Sequence, residues 1–129
     1  MMNRRILVLC VAALAMPALQ THAADRFAYD ARIFQAALDA GKPILVHVTA
    51  PWCDECKAQK PIVAALAERP EFKGLTIFDV DFDTQKDALR RLNVQKQSTL
   101  VVFKDRAEVS RAVGITRPEV IEAVLNKAL

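Results

Sequence analysis

Between Pro43 and Ala50 the chain reads Pro-Ile-Leu-Val-His-Val-Thr-Ala, and this run limits the possible folds more than any other stretch. It is short, rich in β-branched side chains and apolar on both alternating faces, the composition of a strand buried in the middle of a sheet. The segments around it are patterned to cover such a strand. Residues 30–40 place Ile33, Phe34, Ala37 and Leu38 on one helical stripe, with Asp30 as N-cap and Gly41 as stop. After the strand, Pro51-Trp52 turns the chain into a second helix, from Cys53 to about Arg69, ended by Pro70 and kinked at Pro61.

Further on, Leu75–Phe82 is another apolar run, and Asp83-Thr84 caps a short helix reaching Leu92. Ser98–Lys104 and Glu108–Gly114 form two strands joined by a turn at Asp105-Arg106. Thr116 caps a last helix that buries Val120, Ile121, Val124 and Leu125. Helical crossovers between strands predict parallel pairing, and the closing hairpin adds an antiparallel edge. The expected class is α/β, a central mixed sheet of about four strands flanked by helices. Phe34, Phe72, Phe78, Phe82 and Phe103 read as core or near-core residues.

The chain has 129 residues, room for one domain of this kind. Its formal charge is +3, with basic and acidic residues interleaved throughout and no Lys/Arg block, which argues against nucleic acid as a partner. Residues 1–23 have the three parts of a secretory signal: Arg4 and Arg5, an apolar run from Ile6, and small residues around Ala23-Ala24. The uninterrupted run Ile6–Met16 is shorter than the roughly 20 residues of a membrane span, so no stable insertion is expected after cleavage; a retained N-terminal anchor is the alternative. Cleavage near Ala23 or Ala24 leaves a domain at 24–129 with Cys53 and Cys56 as its thiols, in a periplasmic or secreted location that oxidises exposed sulfur.

Cys53 and Cys56 stand three apart where a buried strand meets a helix. Unpaired N–H groups and the dipole at a helix N-terminus favour a thiolate on Cys53, which would attack a disulfide, and Cys56 would then resolve the mixed disulfide. Three other readings stand beside this one. A structural staple closing so short a loop contributes only about 2 kcal/mol. A zinc site needs four ligands, and these thiols with one His fall short unless a dimer shares the site. Two ordinary buried cysteines would not account for the flanking Trp52 and Lys57.

The segment Thr49-Ala50-Pro51-Trp52-Cys53-Asp54-Glu55-Cys56-Lys57, with Pro61 five residues after Cys56, resembles the active-site segment of the thioredoxin superfamily. The likeness runs from the first helix to the last and includes Asp83 and Gly114. It implies the thioredoxin fold and thiol–disulfide exchange, with Trp52 and the Ser98-Thr99 loop facing substrate. With the leader, the chain most resembles small exported thioredoxin-like proteins of the bacterial envelope. Protein or small thiol and disulfide substrates and an upstream electron donor are implied, with neither cofactor nor metal. A thioredoxin scaffold that binds a partner or a metal with little redox turnover is the alternative.

Two positions depart from that pattern. Ser98 stands where the family carries a cis-proline; a cis bond before a non-proline costs roughly 3–4 kcal/mol, so a trans Gln97–Ser98 peptide and a reshaped loop are expected. His47 stands where the family holds a buried Asp, and the family's partner Lys maps onto Asp79. The two are expected to form a reversed pair below Cys56, with His47 as proton acceptor; a histidine hydrogen-bonded in the core without a catalytic role is the other reading. Asp54 and Glu55, each about 7 Å from the nucleophile, oppose its ionisation by roughly 1 kcal/mol apiece, which favours a reductant or electron carrier over a disulfide donor.

Overall fold

The computed structural model describes residues 16–18 and 23–129; the expected leader at 1–23 lies almost wholly outside them. The elements run β1 (Asp25–Ala28), α1 (Ala31–Asp39), β2 (Ile44–Thr49), α2 (Asp54–Ala67), a 3-10 turn (Pro70–Phe72), β3 (Thr76–Asp81), α3 (Lys86–Arg91), β4 (Thr99–Lys104), β5 (Ala107–Val113) and α4 (Pro118–Asn126). The sheet has five strands in the order β1-β3-β2-β4-β5. β2 sits at its centre, parallel to β3 and antiparallel to β4.

The strand beyond the expected four is β1, which pairs parallel to β3 at the edge. All four of its residues are exposed, so it has no apolar run to betray it. What holds it is cross-strand: Phe27 packs 6.0 Å from the Phe78 ring, and Arg26 bonds both carboxylate oxygens of Asp79 at 2.6 and 2.7 Å.

The alternation of β2 splits the interior into two layers. Ile44, Val46 and Val48 join Phe34, Phe78, Val80 and Val101 under α1 and α3. Leu45 joins Val63, Leu66, Ile77, Leu100, Ile121 and Leu125 under α2 and α4. Each such side chain, fully buried, contributes about 1.5–3 kcal/mol relative to exposure. Ile33, expected on the buried stripe of α1, is exposed, and Phe34 and Ala37 carry that contact.

Local signals set most boundaries. The Asp30 carboxylate accepts from the N–H groups of Arg32 and Ile33, and Gly41 takes a φ of +69° after the helix. Asp105 and Arg106 both adopt positive φ, 51° and 72°, the geometry of a two-residue hairpin turn. Two caps differ from expectation. α3 starts after Gln85 rather than at Asp83-Thr84, whose N–H groups are taken by the Asp81 carboxylate. α4 starts after Arg117 with Pro118 in its first turn, and Thr116 does not cap it. Among the described residues no helix is long and apolar enough to cross a membrane.

Candidate active site

The central strand β2 ends at Thr49, and four residues later α2 begins with Cys53 as its N-cap. A cysteine here does what Ser or Asp does at other helix starts: its sulfur accepts the Cys56 N–H at 3.2 Å. That N–H and the positive end of the dipole stabilise negative charge on Sγ of Cys53. Cys56, one turn on, is joined to Cys53 in a disulfide. Cys56 is fully buried, its sulfur 4.0 Å from the Val48 carbonyl, whereas Cys53 retains 2% exposure. The pair is therefore asymmetric, one sulfur at the helix N-cap and the other against the central strand.

The two acids between them are not equivalent. Glu55 Oε2 lies 3.8 Å from Cys53 Sγ, closer than expected, while Asp54 turns away to Lys57 at 3.9 Å. At 3.8 Å in water a carboxylate opposes a neighbouring thiolate by about 1 kcal/mol. Glu55 thus supplies by itself about the opposition expected of one acid.

Trp52 stands 56% exposed beside the pair. Its indole N–H donates to both Asp83 carboxylate oxygens, at 3.0 and 3.2 Å, and its ring meets Phe82 edge-on. Asp83, read from sequence as a helix cap, is the anchor of the tryptophan instead. The long side chain of Lys86 places its ammonium 4.4 Å above the Phe82 ring, fixing the other side of this aromatic pair.

The loop before β4 follows the trans expectation, with no cis peptide among the described residues. Ser98 takes a φ of +56°, a left-handed conformation that costs a non-glycine residue about 1–2 kcal/mol. Its carbonyl accepts from the Gly114 N–H at 3.0 Å. Ser98 and Thr99 are buried, and Thr99 Oγ1 donates to the Lys96 carbonyl. The side chains expected to face substrate are thus turned inward, and Gln97 is the partly exposed residue of that turn.

His47 and Asp79 lie side by side in the β2–β3 register, but the expected reversed pair does not form. Arg26 of β1 claims both oxygens of Asp79. His47, fully buried, instead has its Nε2 3.0 Å from Oε1 of Gln59 on α2. Burial pushes His47 below its ordinary value, against the pull of Gln59 and Asp79, so it is neutral at neutral pH. Gln59 itself is fully buried, and its Nε2 donates to the carbonyls of Ser98 at 3.1 Å and Ile115 at 2.8 Å. Sequence reading missed Gln59, because a lone polar residue in Lys-Ala-Gln-Lys looks like a solvated helix face. Its position three residues after Cys56 was the available signal.

Among the described residues no three His, Cys, Asp or Glu side chains cluster as a metal would require. A dithiol that closes to a disulfide at a helix start, one sulfur capping the helix and the other against the central strand, defines a protein that exchanges thiols for disulfides. The family model for thioredoxin matches residues 25–127, and the chain belongs to that family. It is a thiol–disulfide oxidoreductase. It is 32% identical over 98 residues to the Aspergillus fumigatus thioredoxin Asp f 29, covering 75% of this chain and 88% of that one. An H-type thioredoxin of Fagopyrum esculentum is 35% identical over 91 residues, covering 70% and 77%. Among solved structures, Trxlp from Edwardsiella tarda superposes with a TM-score of 0.77 at 38% identity, over 78% of this chain and 98% of that chain.

Proposed function

We propose that the protein is an exported thioredoxin-type reductant or electron carrier that acts on disulfides of proteins or small thiols. In the reduced protein Cys53 loses its proton and its thiolate attacks a substrate disulfide, forming a mixed disulfide and releasing one substrate thiolate. Cys56 then gives up its proton, His47 Nδ1 being the acceptor, and attacks Cys53 Sγ. The second substrate thiolate leaves, the Cys53–Cys56 disulfide closes, and the protons end on the two substrate thiols. Two electrons move from the dithiol to the substrate, so a separate donor must reduce the pair again.

The observation that carries this reading is the asymmetry of the pair: the Cys53 sulfur caps the helix and accepts the Cys56 N–H, whereas the Cys56 sulfur lies against the Val48 carbonyl of the central strand. The reducing direction rests on Glu55, which disfavours the thiolate and so leaves the disulfide the more stable form. Export rests on the leader features of residues 1–23.

Cys56→Ser is the test. Incubated with envelope proteins in the oxidised state, it is expected to accumulate mixed disulfides through Cys53, seen as adducts on non-reducing gels and lost with dithiothreitol. The same variant with Cys53 also replaced should trap nothing. Trapping by Cys53→Ser through Cys56 equal to that by Cys56→Ser through Cys53 would overturn the assignment of roles. A reduction potential as high as that of a dedicated disulfide donor would overturn the reducing direction, and recovery of the protein in the cytoplasmic fraction with residues 1–23 uncleaved would overturn export.

A further inference from the structure

The amide of Gln59 has a single orientation that satisfies its surroundings. Its NH2 group faces two backbone carbonyls, Ser98 at 3.1 Å and Ile115 at 2.8 Å. Turned over, its oxygen would face both carbonyls with no hydrogen between them. Both amide hydrogens are therefore spent, and Oε1, which can only accept, is what remains for His47 Nε2 at 3.0 Å. The imidazole nitrogen on that side must carry the hydrogen. A neutral imidazole has one N–H and one lone pair, so the lone pair falls on Nδ1. Nδ1 is buried and has no hydrogen-bond partner among the described residues.

We propose that Gln59 is a positioning residue that holds His47 as its Nε2–H tautomer and thereby keeps Nδ1 open to take the Cys56 proton. The inference deepens the proton-acceptor reading of His47 given above and rests on it for its functional half. An unsatisfied buried acceptor costs about 1–3 kcal/mol, which a structural histidine would recover by turning Nδ1 toward a donor. Gln59 prevents that by holding the opposite edge of the ring.

The geometry places this lock where it can act. Gln59 is one helical turn after Cys56 on α2, and the Cys56 sulfur lies against Val48, the residue following His47 on β2. Because the same amide holds the Ser98 carbonyl, Gln59 also joins the proton acceptor to the left-handed turn that precedes β4. The charged groups around His47 are Asp79 on β3, the Arg26 that neutralises it from β1, and Lys60 on α2. None of them contacts Nδ1 in a hydrogen bond.

The first measurement uses the unmodified protein. Nitrogen-15 NMR of the oxidised and reduced forms at neutral pH should show His47 as the Nε2–H tautomer; an Nδ1–H signature overturns the proposal outright. The second uses dithionitrobenzoate, whose mixed disulfide on Cys53 releases a second thionitrobenzoate when Cys56 attacks. Gln59→Met removes the acceptor and should give mixed tautomers and slow that second release by on the order of ten-fold, a small part of what acid–base catalysis can supply. Gln59→Glu keeps an acceptor on Nε2–H, so it should retain the tautomer and move the pH dependence of release upward. A purely structural Gln59 would leave the tautomer and the pH profile unchanged in both variants, which would overturn the proposal. Should the tautomer behave as stated while His47→Asn leaves the release profile untouched, the proton-acceptor reading fails and the positioning of the ring stands.

Discussion

Glu55 shows how much one side chain can bias a sulfur. Its carboxylate sits 3.8 Å from Cys53 Sγ, whereas Asp54 is drawn off toward Lys57 and solvent. Glu55→Gln should therefore speed iodoacetamide alkylation of reduced Cys53 by about five-fold at neutral pH, the equivalent of about 1 kcal/mol, with a parallel rise in reduction potential. Asp54→Asn should change the rate far less. Equal effects of the two would show that both acids act through the general field, as their adjacency in sequence suggested. The cysteine pair was legible because its chemistry is local: three residues of spacing and one helix start specify it. Gln59 was not, since what buries it is the loop at Ser98 and the turn at Ile115, both far along the chain.

At the scale of elements, the edge strand is the instructive case. Asp25–Ala28 has neither alternation nor an apolar run, and its place beside β3 depends on Arg26, Asp79 and Phe27 rather than on propensity. Arg26→Gln should lower amide-exchange protection in β1 while leaving β2 and β4 intact, with a loss of about 1 kcal/mol or less in global stability. If protection in β1 stays unchanged, backbone pairing alone holds the edge. This strand also explains why the His47–Asp79 pairing expected from sequence does not occur. The register does bring the two together, but an unforeseen neighbour takes the carboxylate, leaving the histidine to α2. The boundaries of α1 and of the β4–β5 turn were legible because a capping Asp and two positive-φ residues act within a few residues of chain.

The whole molecule should feel both of its buried chemical groups. Burial lowers His47 below its ordinary value of 6.5, so the unfolded chain takes up a proton there before the folded one does. Its contribution is then fully present above pH 6.5 and is lost as pH falls toward the lowered value. Urea midpoints of the oxidised protein should decline as pH falls below about 6.5, and His47→Gln should flatten that decline. A wild-type midpoint that is level across the window would mean His47 titrates normally. Reduction of the disulfide should cost about 2 kcal/mol in the same assay, the small amount that a four-residue loop can contribute. An unchanged midpoint would remove the chain-entropy argument. By itself the order of residues determined the α/β layering, the central strand, the dithiol at a helix start and the trans bond before Ser98, because periodicity, spacing and the missing proline are properties of neighbours in the chain. Only the tertiary structure decided which carboxylate meets the sulfur, which partner each of His47 and Asp79 takes, and that Gln59 lies inside, because those choices are competitions among groups brought together only by packing.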